Sequence, residues 1–272
     1  SLRMRIRADR QNQALAVPRL WHRLHARNTH RHLHGLPRGR LCRLLQLRAH
    51  QPGGCCGCSW GTVVMMLLFS HFAQATSLVP TVLGNSTVGT QVVFIPTAAL
   101  AEAVDMTEYT TRNRQALEGL GFAVVELELS TATPSEIEQT ITQADALFID
   151  GGNTFYLLQE LKRTGAYELV KNHIHAGKLY MGNSAGSIIT APDIGYCTAM
   201  EHMDSNKLNG SVDTRGLGAV DFYPVPHVGN PMFDKAVHTI IADYTDRLSL
   251  LPLTDQQAVH IHDGIATTLT AQ

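Results

Sequence analysis

Short apolar runs alternate with longer amphipathic stretches through most of the chain. Met65-Met66-Leu67-Leu68-Phe69 opens the series, followed by Val92-Val93-Phe94-Ile95 (stopped by Pro96), residues 123–127, residues 146–150 and Leu179-Tyr180-Met181. Each run is short and apolar almost throughout, the pattern of strands buried on both faces. The intervening segments carry helical spacing. Residues 110–120 place Leu117 and Leu120 on one side and stop at Gly121. Residues 134–143 follow a Thr-Pro-Ser start signal, and residues 155–161 and 167–176 complete the helical set. Strands alternating with helices predict an α/β fold, a doubly wound and mostly parallel sheet with helices on both faces. In such sheets ligands collect at the carboxyl ends of the strands.

Two loops at those ends hold candidate chemistry. Leu179-Tyr180-Met181 runs into Gly182-Asn183-Ser184-Ala185-Gly186. A Gly-x-Ser-x-Gly turn between strand and helix holds a serine on a sharp bend with its hydroxyl outward, and the flanking glycines spare the neighbouring backbone a collision. Ser184 is the candidate nucleophile, and the backbone N–H of Ala185 is placed to hold an oxyanion. A Gly-rich turn with a capping serine is the structural alternative. One βα unit earlier stands Gly151-Gly152-Asn153-Thr154. Its glycines expose N–H groups, so Gly152 and Asn153 form a natural second donor loop, while Thr154 can cap the following helix.

A serine hydroxyl needs a base, and the base an orienting acid. His227 ends the apolar, proline-stiffened run 221–227, which suits an edge strand. His173, His175 and His238 fall on helices and read as surface residues; His260 and His262 alternate on a terminal strand; His202 sits in a loop. Between the serine and His227 lie Asp193, Glu201, Asp204, Asp213 and Asp221. The order serine, acid, histidine is common in α/β hydrolases, and the loop 196–204 is the preferred source of the acid.

Charge divides the chain. Residues 1–64 hold 12 of the 22 basic residues, all arginine, with Asp9 as their sole acid; residues 65–272 hold the other 10 against 22 acids. An acidic body argues against nucleic acid as a partner. Four of the five cysteines lie before residue 65, leaving Cys197 alone in the body. A body with one thiol has no disulfide framework, which suits a reducing cytoplasm. The chain therefore divides into a basic N-terminal extension, 1–64, and a catalytic domain, 65–272. The extension is expected to lie outside the fold, as a disordered tail or as sequence upstream of a start at Met65 or Met66. An organelle leader, a metal site at Cys55-Cys56-Gly57-Cys58 and a nucleic-acid or lipid contact are the functional alternatives, although that cysteine spacing matches no standard zinc pattern. The apolar run near residues 63–72 mimics a secretory signal but is too short to span a membrane, and it reads as the first strand.

Together the Gly-Gly-Asn-Thr loop at 151–154, the Asn-Ser-Ala-Gly-Ser turn at 183–187 and Pro226-His227 resemble the peptidase E family, the S51-type serine peptidases that include α-aspartyl dipeptidases, with cyanophycinases among their relatives. Residues 191–194 and 216–218 add to the likeness, which spans roughly residues 65–272. The resemblance implies a fold related to class I glutamine amidotransferases, Ser184 as nucleophile, His227 as base and an acid in the loop 200–204. By spacing that acid is Glu201, with Asp204 as the fallback. It also implies hydrolysis of short peptides, dipeptides with N-terminal aspartate among them, through an acyl-enzyme. A serine mechanism of this kind implies no cofactor or metal; the expected partner is a small peptide substrate, with no nucleic acid or membrane, and the protein is expected to be a cytoplasmic monomer or small homo-oligomer. The alternatives are a non-catalytic amidotransferase-like binding domain and a hydrolase of another amide such as a cyanophycin-like substrate. Aspartyl specificity would need a cation for the substrate carboxylate. Lys207, Arg215, Lys235 and Arg247 are the candidates, and none falls in an obvious pocket motif.

Overall fold

The computed structural model describes residues 64–201, 208 and 213–272, all within the unit Cys58–Gln272. The expectations for residues 1–63 lie outside the described residues. Among the described residues nine strands form: β1 (Met65–Phe69), β2 (Gln91–Ile95), β3 (Ala123–Glu126), β4 (Ala146–Ile149), β5 (Leu179–Asn183), β6 (Tyr223–Val228), β7 (Leu250–Thr254), β8 (Gln257–His262) and β9 (Ile265–Thr270). Seven of them make one sheet in the order β3-β2-β4-β5-β1-β8-β9. Its first five strands are parallel, and β8 and β9 continue it as an antiparallel hairpin against β1.

Alternation along these strands builds two cores. Met66, Leu68, Val93, Ile95, Leu147, Ile149 and Tyr180 point to one face, beneath the helices Pro134–Gln143, Thr154–Thr164 and Ala166–His175. Leu67, Phe69, Val92, Phe94, Phe148 and Met181 point to the other, where Phe72 stacks edge-on against Phe69 and Phe148 and Leu117 covers the strands from the helix Thr107–Gly119. The doubly wound α/β sheet expected from the apolar runs is the one observed. The helix Pro134–Gln143 begins with the expected start signal in full. Thr133 Oγ1 accepts from Glu136 N, the Glu136 carboxylate accepts from Thr133 N, and Pro134 stands at the first helical position.

β6 and β7 form a separate parallel pair, joined through the helix Asp234–Tyr244, whose Val237 and Ile240 are buried. Pro224 and Pro226 donate no ladder bonds and are tolerated because the sheet has only two strands, with a register shift between Val225 and Val228. Beyond the shift Val228 pairs with Thr254, so the carboxyl ends of β6 and β7 emerge side by side. Among the described residues no helix is long and apolar enough to cross a membrane.

Candidate active site

The loops after β1, β4, β5, β6 and β7 converge on Ser184. Its backbone has φ 49° and ψ −105°, a conformation that L-residues rarely adopt. The bend is held from both sides. Ser184 N donates to Phe69 O at 3.0 Å, and Ser184 O accepts from Ser187 N and Ile188 N at 2.8 and 2.9 Å. The flanking glycines are required by contact. A Cβ on Gly182 would sit 2.3 Å from Gly186 O, and one on Gly186 would sit 2.0 Å from Ile149 O. Gly186→Ala therefore has to push the turn off β4. The expected result is a loss of about 2–3 kcal/mol or more in urea unfolding, whereas an unchanged midpoint would mean that the close approach is absent.

His227 reaches the serine as the sequence predicts: Ser184 Oγ and His227 Nε2 are 2.8 Å apart. His227 is buried, with φ 68°, at the end of β6, and its ring stacks on Phe233 with centroids 4.3 Å apart. Its backbone N–H donates to Ser70 Oγ at 2.8 Å, which ties the strand end to the loop after β1.

The carboxylate on the far side of the imidazole is Asp255. Its Oδ1 is 2.7 Å from His227 Nδ1, Oδ2 accepts from Asn230 Nδ2 at 2.7 Å, and Ser70 Oγ donates to Oδ1 at 3.1 Å. Burial alone would raise this carboxyl, but hydrogen bonds from His227, Asn230 and Ser70 outweigh it and hold it at about 2. The ring therefore carries its proton on Nδ1 and leaves Nε2 free to accept. Asp255 follows β7 directly, and the parallel pairing of β6 with β7 delivers it to His227.

Glu201 does not occupy that position. Its carboxylate accepts from Thr154 N at 3.1 Å and Thr154 Oγ1 at 2.5 Å, at the start of the helix Thr154–Thr164. Burial raises it to about 7 against those two bonds. The expectation of Glu201 as the partner of His227 is thus corrected: an acid two residues past the turn Gly195–Ala199 is spent on the helix start, and the imidazole is met by an acid that follows it in the chain. Asp204, the fallback, and His202 lie outside the described residues.

The Gly-Gly loop sits where expected, beside the turn. An added Cβ on Gly151 would lie 3.3 Å from Ser184 Cβ, and one on Gly152, with φ 136°, would meet the Ala98–Ala99 backbone at 2.4–2.5 Å. Asn153, rather than Thr154, caps the helix: its Oδ1 accepts from Tyr156 N at 2.9 Å, and its backbone N–H donates to Ala98 O. The buried His173 also departs from its surface reading. Its Nε2 meets Leu179 O at 3.0 Å, and burial lowers it to about 4, so it is a packing residue. The exposed His238 meets the Asp234 carbonyl on its own helix. Arg215 pairs with Asp213 and Arg247 lies on the Asp243 carbonyl, both at the surface.

Beneath the serine lies a polar layer that the sequence did not reveal. Asn183 Oδ1 accepts from Phe72 N at 2.8 Å, and its Nδ2 donates to Tyr109 Oη at 2.7 Å and to Asp150 Oδ1 at 2.8 Å. Asp150 Oδ1 also accepts from Asn113 Nδ2 and Gly151 N. Tyr109 in turn stands edge-on to His71, which faces His227 in the same way, and burial lowers His71 from its ordinary value.

A half-buried serine hydroxyl on a strained turn, bonded to a histidine whose other nitrogen meets a carboxylate, is the arrangement of a serine-type hydrolase. Known proteins make it more specific. The family model of peptidase family S51 matches residues 66–269. The uncharacterized peptidase Lin0382 of Listeria innocua is 42% identical over 183 residues, 67% of this chain and 86% of that one. The uncharacterized peptidase PM1590 of Pasteurella multocida is 39% identical over 198 residues, 73% and 93% of the two chains. The crystal structure of a candidate peptidase E protein from Listeria monocytogenes superposes with a TM-score of 0.71 at 36% identity, covering 77% of this chain and all of that one. The protein is a serine-type peptidase. It belongs to peptidase family S51.

Proposed function

We propose that the catalytic domain, residues 65–272, hydrolyses short peptides through an acyl-enzyme, with Ser184 as nucleophile, His227 as general base and Asp255 as the acid that orients it. The observation that carries this reading is the continuous chain of contacts, 2.8 Å from Ser184 Oγ to His227 Nε2 and 2.7 Å from His227 Nδ1 to Asp255 Oδ1. His227 Nε2 takes the hydroxyl proton as Oγ attacks the scissile carbonyl, and Asp255 stabilises the imidazolium that forms. The tetrahedral oxyanion is held by the N–H groups of Gly152 and Ala185, neither of which donates to another described residue. The imidazolium then gives its proton to the leaving amine. A water, activated by the same nitrogen, releases the acyl group and restores the serine.

Dipeptides are the substrate class this reading favours, with N-terminal aspartate as one member. His71 is a weak cation, because burial keeps its pKa below its ordinary value. Its ring can hydrogen-bond a substrate without requiring an acidic first residue. The cytoplasm is the compartment in which such a peptidase with a single buried body thiol, Cys197, would work. The test is turnover of Asp-X, Glu-X and Ala-X dipeptides by the wild type and by Ser184→Ala. Cleavage within the panel that disappears in the variant supports the reading, and a panel left entirely intact contradicts the dipeptide assignment.

A further inference from the structure

Two buried acceptors in the layer under Ser184 lack a partner, and they belong to residues that already touch. Asn113 Nδ2 donates to Asp150 Oδ1 at 2.9 Å, yet Asp150 Oδ2 and Asn113 Oδ1 are both buried without a hydrogen-bond partner. Both residues are fully buried. Leaving a buried acceptor unpaired is costly, so two of them on a pair of hydrogen-bonded residues call for a single explanation. Turning the Asn113 amide over does not supply it, because the amide oxygen would then face Asp150 Oδ1, an acceptor that Asn183 Nδ2 and Gly151 N already hold in place. One hydrogen atom satisfies both orphans. We propose that Asp150 is a neutral carboxylic acid in the folded protein, its Oδ2–H donating to Asn113 Oδ1, and that this closed acid–amide pair is the positioning element beneath the nucleophile.

The surroundings favour the proton. The contacts on the carboxyl are the two amides and one backbone N–H, and no basic side chain among the described residues opposes its burial, which pushes it up to about 7. The titratable group facing it is Tyr109, on the helix Thr107–Gly119; Tyr109 is itself raised by burial and by Asp150, and it also feels Asp255 and stands against His71. Beyond Asn183, on the next strand, lies the Ser184–His227 pair. Ionisation of Asp150 would set two bare acceptors against each other and place a negative charge under the site where the oxyanion forms. Through Asn183, which directly precedes Ser184, the disturbance would reach Tyr109 and the strained turn.

The assignment of the proton is independent of the peptidase reading; its effect on turnover rests on that reading. The direct test uses the wild-type chain with aspartate labelled by ¹³C and follows each carboxyl carbon by NMR as pH rises. One aspartate should keep the shift of a protonated acid at pH about 6, where ordinary aspartates are ionised, and that signal should be missing from Asp150→Asn. If every aspartate is ionised at that pH, or if the acid signal survives in the variant, the proposal is overturned. The second readout is the pH profile. A carboxyl raised in the folded state favours folding most at low pH, and the contribution is lost as pH rises from its unfolded value to about 7. Asp150→Asn, whose amide can donate to Asn113 at any pH, should therefore gain melting temperature over the wild type by several degrees across that interval. Its kcat/KM should also hold on the alkaline side, where the wild type declines. Parallel profiles in the two proteins would leave Asp150 without this role.

Discussion

Ser184→Ala should abolish peptide turnover, lowering kcat by at least about 10⁴-fold while the protein stays folded. The fold is expected to survive because the Ser184 side chain makes one hydrogen bond, to His227, and the strained turn is held by backbone bonds from Ser184 to Phe69, Ser187 and Ile188. Alanine keeps the Cβ and removes only the attacking oxygen. The loss should be no greater in a protein that also carries His227→Ala, since a nucleophile and its base act as a unit and their deletions do not add. Steady-state kinetics with unfolding curves for the two single variants and the double variant checks this. A Ser184→Ala protein with full activity on its best substrate would remove the serine mechanism.

Asp255→Asn should lower kcat by roughly 10³–10⁴-fold, and Glu201→Gln by less than about tenfold. Asp255 is the acceptor of the His227 Nδ1 hydrogen at 2.7 Å. An asparagine there can present its amide hydrogens to that nitrogen, which favours the tautomer with the proton on Nε2 and takes away the acceptor that Ser184 needs. The same change removes the charge that stabilises the imidazolium. Because Asp255 is held at about 2, the carboxylate is present throughout the acidic and neutral range, and an acid limb of the wild-type rate profile should not arise from it. Glu201 cannot substitute for it, being bound to Thr154 through both its oxygens. Comparing kcat for the two variants decides the acid. A large loss in Glu201→Gln with a small one in Asp255→Asn would restore the sequence-based expectation.

That expectation failed for a definable reason. The strands, the helix starts and the Ser184 turn are local properties: apolar runs, a capping box at Thr133 and two glycines that bracket a serine. His227 was legible because it ends an apolar strand, and strand ends are where this fold collects function. Asp255 also ends an apolar strand, β7, so it carried the same signal. What hid it was the assumption that the acid precedes the histidine in the chain. Its place beside His227 is set by the parallel register of β6 and β7, in which Val228 meets Thr254 across a long connection. Ser70, Tyr109 and Asn113 enter the site by the same kind of long-range pairing, from the loop after β1 and the helix Thr107–Gly119, and no local pattern distinguishes them. His173 misled for the opposite reason: a histidine on a helix reads as surface, but Val170 and Ile174 carry it into the core.

The most direct test of the central claim needs no substrate. The wild type is treated with a serine-reactive fluorophosphonate, and the intact protein is weighed by mass spectrometry before peptide mapping. The account predicts one adduct per chain, on Ser184, formed more slowly in Asp255→Asn and absent from Ser184→Ala. An adduct at another residue, or one that persists in Ser184→Ala, would contradict it.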